Sequence, residues 1–191
     1  TVLSHDLADN VGAKLGAAPG SPPAKVRVIP NFVDTAAIGD APRLNAYRRE
    51  HGLGDRTVVM YAGNVGLSQS LDLVLQAARS LERSHPEVVF VINGGGSAKA
   101  GLEASAAGQA NLRFVGLQPK DRLGEVLAAA DLHLVPLRRG LARSSVPSKL
   151  YSILAAARPV LAAVDEGTEV ARIVERAGAG VAVPPDDPGA F

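Results

Sequence analysis

The chain has 191 residues, 47% of them hydrophobic, with 20 Lys and Arg against 19 Asp and Glu for a formal net charge of +1. That size suits one domain with a substantial core, and the near balance of charge gives no overall field to attract nucleic acid. The absence of cysteine excludes disulfides and thiolate metal sites, and His5, His51, His85 and His133 are scattered without ligand spacing.

Residues 1–50 read as a connecting region, rich in Pro, Gly and small residues from Ala17 to Pro23. Within it Val26–Pro30 is a short strand candidate, Asn31–Asp34 carries turn formers, and Ala41–His51 is a candidate helix. The opening Thr1-Val-Leu-Ser-His5 is neither a methionine start nor a signal peptide, and Val183–Phe191 stops as if entering another helix. We therefore expect a piece of a longer protein. No run reaches the ~18 apolar residues of a membrane span, so no spanning segment is expected in it, and lack of cysteine fits a cytoplasmic setting.

From residue 51 the pattern is regular. Apolar runs at Thr57–Ala62, Val88–Asn93, Leu112–Val115, Leu132–Pro136, Pro159–Val164 and Gly180–Val183 are strand candidates buried on both faces. Between them the sets Leu71/Val74/Leu75/Ala78/Leu81, Leu123/Val126/Leu127/Ala130 and Val170/Ile173/Val174/Ala177 recur at helical spacing. Alternation of this kind predicts an α/β, doubly wound, mostly parallel Rossmann-like sheet over 51–191. Ligands bind such sheets at the carboxyl ends of the strands, which directs attention to the residues after each run.

The first run leads into Gly63-Asn64-Val-Gly66-Leu-Ser-Gln69. Its glycines either let backbone amides approach a phosphate or simply make a tight strand-to-helix turn. The second run ends at Asn93-Gly94-Gly95-Gly96, a second glycine loop or only a connection; neither stretch has the dinucleotide fingerprint, which argues against a nicotinamide enzyme. In Ser144-Ser145-Val-Pro147-Ser148-Lys149, Pro147 is placed to open a helix near Ser148. Lys149, Ser152 and Ala156 then share one face, with Leu150, Ile153, Leu154 and Ala157 on the core side. A cation and a hydroxyl there suit a diphosphate with its ribose; the competing account is a solvated first-turn lysine. Asp131 is a turn or cap residue by position, His133 a core or interface residue, and Asp165 and Glu166 a solvated loop.

These pieces, in this order, resemble the donor-binding domain of the retaining group 1 glycosyltransferases of glycogen-phosphorylase-like, two-Rossmann-domain (GT-B) build. Val26–Asp34 resembles the family's interdomain segment, Tyr61–Gly66 its first glycine loop, and Val91–Gly96 its second strand end. Leu112–Leu117 resembles its "v-x-F-x-G" element, Ala129–Pro136 its "a-D-v-x-v-x-P" strand, and Ala155–Val160 its "A-x-G-x-P-V" segment. The chain departs from the family where two glutamates are usual, with Ser144 and Ser152 there, and in the first loop, where Asn64 and Gln69 replace the usual basic residues. It looks like a bacterial polysaccharide-assembly subgroup. The resemblance implies a nucleoside-diphosphate-sugar donor with uracil as its base, no separate cofactor, and an acceptor domain preceding this chain. By position it implies donor contacts from Gly63, Asn64, Gly66 and Gln69, from Gly94 and Gly95, from the backbone of Val115, Gly116 and Leu117 to the base, from Ser145, Pro147 and Ser148, from Lys149 to the pyrophosphate and from Ser152 to ribose or sugar. A sugar-nucleotide epimerase of related build and a non-catalytic scaffold domain stand as alternatives.

Overall fold

The computed structural model describes residues 1–18 and 25–191, so most of the Ala17–Pro23 run lies outside the described residues. Ser4 accepts a hydrogen bond at its Oγ from the Leu7 N–H and caps helix α1 (His5–Lys14), within the expected connecting region. The Val26–Pro30 strand is reduced to one parallel bridge, Val2 with Val28, because only the backbone of Val2 runs beside it and Pro30 has no N–H to extend the ladder. Asp34 caps the short helix α2 (Thr35–Ile38). The expected Ala41–His51 helix forms only as α3 (Ala46–Glu50). Asn45 caps it through Arg48 N–H while its own amide takes the Pro42 carbonyl, which ends the helix there.

The remaining elements alternate in chain order: β1 (Thr57–Ala62), α4 (Leu71–Leu81), β2 (Val88–Asn93), α5 (Lys99–Ser105), β3 (Leu112–Val115), α6 (Leu123–Ala128), β4 (Leu132–Pro136), α7 (Lys149–Ala155), β5 (Val160–Ala163), α8 (Glu169–Arg176) and β6 (Gly180–Val183). The sheet has six strands in the order β3-β2-β1-β4-β5-β6, and every pairing is parallel. Both faces are covered over the central strands, which is why these read as continuous apolar runs; Gly180–Val183, expected to be buried on both faces, is instead the edge strand, with Val181 57% exposed. Val58 and Met60 of β1 pack with Tyr47, Leu53 and Val126 on one side; Val59 and Tyr61 pack with Leu71, Val74 and Leu75 of α4 on the other. The strand order reverses between β1 and β4, which opens a crevice at their carboxyl ends.

At the opposite end of the sheet, Asp131 fastens α3 to β1. Its carboxylate accepts from Arg48 at 2.6 Å, from the Val58 N–H at 2.8 Å and from Arg43. Burial alone would raise the Asp131 carboxyl; the hydrogen bonds from Arg43, Val58 and Arg48 outweigh it and hold the group below its ordinary range. His133 is fully buried in β4 as a core residue, its Nε2 2.9 Å from the Leu127 carbonyl. Among the described residues, no helix is long and apolar enough to cross a membrane.

Candidate functional site

A cavity of about 600 Å³ lies at the strand-order reversal. Its floor is the end of β1 and β2 (Ala62, Gly63, Asn64, Asn93), one wall is Pro147, Ser148, Lys149 and Ser152 around the start of α7, and the other is Leu117–Lys120 with Leu123, Val126 and Leu127. The volume falls within the range of small-molecule sites, roughly 300–1,000 Å³.

Lys149 is the most unusual group in it. Its Nζ is shielded from solvent and has no hydrogen-bond partner among the described residues, and it lies 3.6 Å from the centroid of the Tyr61 ring. Tyr61 is itself fully buried, and its hydroxyl donates to the Asn64 carbonyl, so the ring presents a fixed face. Burial pushes the Lys149 amine down to about 7, because one aromatic face replaces only part of the lost hydration. Gly63, at φ 142°, makes room for it: a Cβ there would stand 2.7 Å from Nζ.

The two glycine loops interlock. Gly63 N–H donates to the Asn93 carbonyl, Val65 N–H to Gly95 and Gly94 N–H to Val115, each at 2.8–2.9 Å. A Cβ on Gly94 would meet the Gly63 carbonyl oxygen at 1.9 Å, so this glycine is required for the close approach of two backbones. Of the residues expected at a donor site, Gly63, Asn64, Leu117, Pro147, Ser148, Lys149 and Ser152 line the cavity. Gly66 and Gln69 bond each other, with the Gly66 N–H donating to Gln69 Oε1 at 3.1 Å. Gly94 and Gly95 are engaged with the neighbouring loops, and the Val115 carbonyl accepts from the Gly94 N–H and from Lys99 Nζ. The Gly116 carbonyl accepts from Gln118 Nε2, and Ser145 is exposed outside the lining, as is Ser144, whose hydroxyl donates to the Leu141 carbonyl. Asn93, Gln118, Pro119, Lys120 and Leu123 line the cavity without having been singled out as site residues. In the sequence Asn93 is marked only as the last residue of a buried strand, next to the glycines of the second loop.

Residues 56–191 match the family model described as "Glycosyl transferases group 1". The chain belongs to the group 1 glycosyl transferases. Among curated relatives, it is 36% identical over 164 residues to WcaI of Escherichia coli (strain K12), named as a colanic acid biosynthesis glycosyl transferase, covering 82% of this chain and 40% of that one. It is 33% identical over 136 residues to WbjE of Pseudomonas aeruginosa, named as a glycosyltransferase, covering 71% of this chain and 34% of that one. The chain thus spans well under half the length of these relatives. Among solved structures, Anabaena Alr3699/HepE in complex with UDP and glucose superposes with a TM-score of 0.72 at 15% identity, covering 99% of this chain and 50% of that one; the likeness is one of fold.

Proposed function

We propose that this chain is the donor-binding part of a two-domain, GT-B type glycosyltransferase, and that its cavity holds a nucleoside diphosphate sugar, UDP-linked, for transfer to a hydroxyl acceptor in surface polysaccharide or glycoconjugate synthesis. The observation that carries this reading is the Lys149 ammonium, buried at a cavity wall without a hydrogen-bond acceptor among the described residues. A diphosphate is the partner such a group lacks, and a charge-assisted hydrogen bond would offset its desolvation. The relatives named for glycosyl transfer and the UDP held by the Anabaena protein of the same fold support the assignment.

On this reading the bond from the anomeric carbon to the diphosphate breaks with its electron pair going to the diphosphate, and the protonated Lys149 stabilises that charge. The acceptor hydroxyl supplies the new bond to the anomeric carbon, with retention, as the family resemblance implies. A preceding domain would hold that acceptor and take up its proton, and closure of the two parts would align the reactants. We place this work in the cytoplasm, with any membrane association residing in the rest of the protein.

Calorimetric titration with UDP, GDP and ADP, on the chain and on Lys149→Ala, tests the proposal. Saturable binding that weakens about tenfold or more in the variant is expected; absence of binding to all three by a protein extended to its full length would overturn it.

A further inference from the structure

Asn93 is 5% exposed and lines the cavity. It lies on the sheet face of Val89 and Val91, toward α3 and α6. Its Oδ1 accepts from the Tyr47 hydroxyl at 2.9 Å, a partner 46 positions away in sequence. Among the described residues no protein group accepts from its Nδ2, so the amide N–H groups are unpaired where Asn93 lines the cavity.

Tyr47 is held firmly enough to dictate that orientation. It is fully buried, its backbone N–H donates to Glu125 Oε1 at 2.7 Å, and its ring stands edge-to-face against His51 with centroids 4.4 Å apart. Burial raises the phenol above its ordinary value, so the hydroxyl keeps its proton and remains available to donate. The Asn93 main chain is fixed as well, since its carbonyl accepts from Gly63 N–H at 2.9 Å. Beside the amide, Leu117, Pro119, Leu123, Val126 and Leu127 form apolar walls of the kind that take a flat ring.

We propose that Asn93, positioned by the Tyr47 hydroxyl, selects the base of the bound nucleotide by donating a hydrogen bond from its amide to a carbonyl oxygen on the ring. This rests on the donor-binding reading above. Lys149 and Asn93 then divide the ligand between them, with Gly63 at the floor between the two. The amine meets charge common to every nucleoside diphosphate, and the amide meets a feature that differs among bases. Uracil and guanine carry a carbonyl oxygen for it; adenine carries none. A buried donor that a ligand leaves unpaired disfavours that ligand, which is the source of the selectivity.

The test titrates UDP, GDP and ADP against the chain and against Asn93→Leu, Tyr47→Phe and the double variant, with thermal unfolding to confirm folding. The unsubstituted chain should bind UDP or GDP more tightly than ADP. Asn93→Leu should lose about tenfold for the preferred nucleotide and little for ADP, and Tyr47→Phe should show a smaller change in the same ratio, because the freed amide can rotate. In the Asn93→Leu background Tyr47→Phe should add nothing to that ratio. Asn93→Asp, which keeps an acceptor for the Tyr47 hydroxyl in the same place but withdraws the N–H groups, decides the matter should Asn93→Leu fail to fold, read in the ratio of nucleotide affinities. Equal affinity for all three nucleotides, or a preference carried unchanged through the Asn93 variants, would overturn the inference while leaving the donor site standing. Lys149→Ala should weaken all three together; a protein that binds none of them overturns the donor reading itself.

Discussion

The Lys149 Nζ sits over the Tyr61 ring, 3.6 Å from its centroid, where a cation has an aromatic face but no hydrogen-bond acceptor among the described residues. With the free amine down at about 7, a bound diphosphate stabilises its protonated form and raises it again. Affinity for a UDP-sugar should therefore be greatest below about pH 6 and fall as pH rises past 7, by up to about tenfold per unit until the bound-state value is reached. UDP-glucose is the ligand to titrate, because its diesterified diphosphate does not itself titrate in this range. Lys149→Ala should bind weakly with no such slope; a pH-independent affinity in the unsubstituted chain would contradict the assignment.

Gly94→Ala should be severely destabilising. The position has φ 154°, and the added Cβ would meet the Gly63 carbonyl oxygen, a backbone atom, at 1.9 Å. Neither loop can yield without breaking the hydrogen bonds from Gly63 to Asn93 and from Gly94 to Val115. We expect a loss of about 2–4 kcal/mol in urea unfolding. Gly95→Ala, where a Cβ meets nothing within 4 Å, should be far milder.

Ala157 is a site for stabilisation. It follows α7 at φ 51°, with its N–H donating to Leu154 and the Arg158 N–H to Ile153, the pattern of a helix end that favours glycine. The segment it belongs to, Ala155–Val160, resembles a motif with glycine at that place. Ala157→Gly should raise stability by about 1 kcal/mol, read as a higher unfolding midpoint with nucleotide binding unchanged.

His133 should give the protein an acid-side stability loss. Burial pushes it from 6.5 down to about 4, against the smaller opposing effect of the Leu127 carbonyl. The unfolded chain takes up a proton below about pH 6.5 that the folded chain refuses until about pH 4, so stability falls as pH is lowered across that window. Between pH 7 and pH 5 this amounts to about 2 kcal/mol. His133→Leu should remove that part of the slope in urea titrations at the two pH values.

The strands were legible because a parallel sheet covered on both faces leaves unbroken apolar runs, and β1 to β6 stand where those runs lie, although β6 at the edge is not buried on both faces. Pro147 and the spacing of Lys149 and Ser152 likewise marked α7 and one cavity wall. Helix α5 was missed because Lys99–Ser105 follows a run of glycines, is itself rich in Ala and Gly, and has Leu102 as its one buried residue. Helix α1 was missed although Ser4 announces it, because the Pro- and Gly-rich stretch that follows suggested a linker throughout. The Asn93 amide escaped notice for a different reason: its orientation depends on Tyr47, and no local pattern relates residues that far apart in the chain.

The interlocked glycine loops have a consequence for how the cavity responds to an occupant. Where the two loops meet, main chain is held by main chain, Gly63 to Asn93 and Gly94 to Val115, and a Cβ on Gly94 has no room there. Such a surface behaves as a fixed template, since any change in its contour requires the ends of two adjacent strands to shift together. Adjustment to ligands of different shape is then left to side chains, to Lys149 on one wall, to the Leu117–Lys120 segment on the other and to the Asn64 and Asn93 amides at the floor. Sugars and bases would be sorted by what those side chains can accommodate and pair around an unyielding main-chain junction.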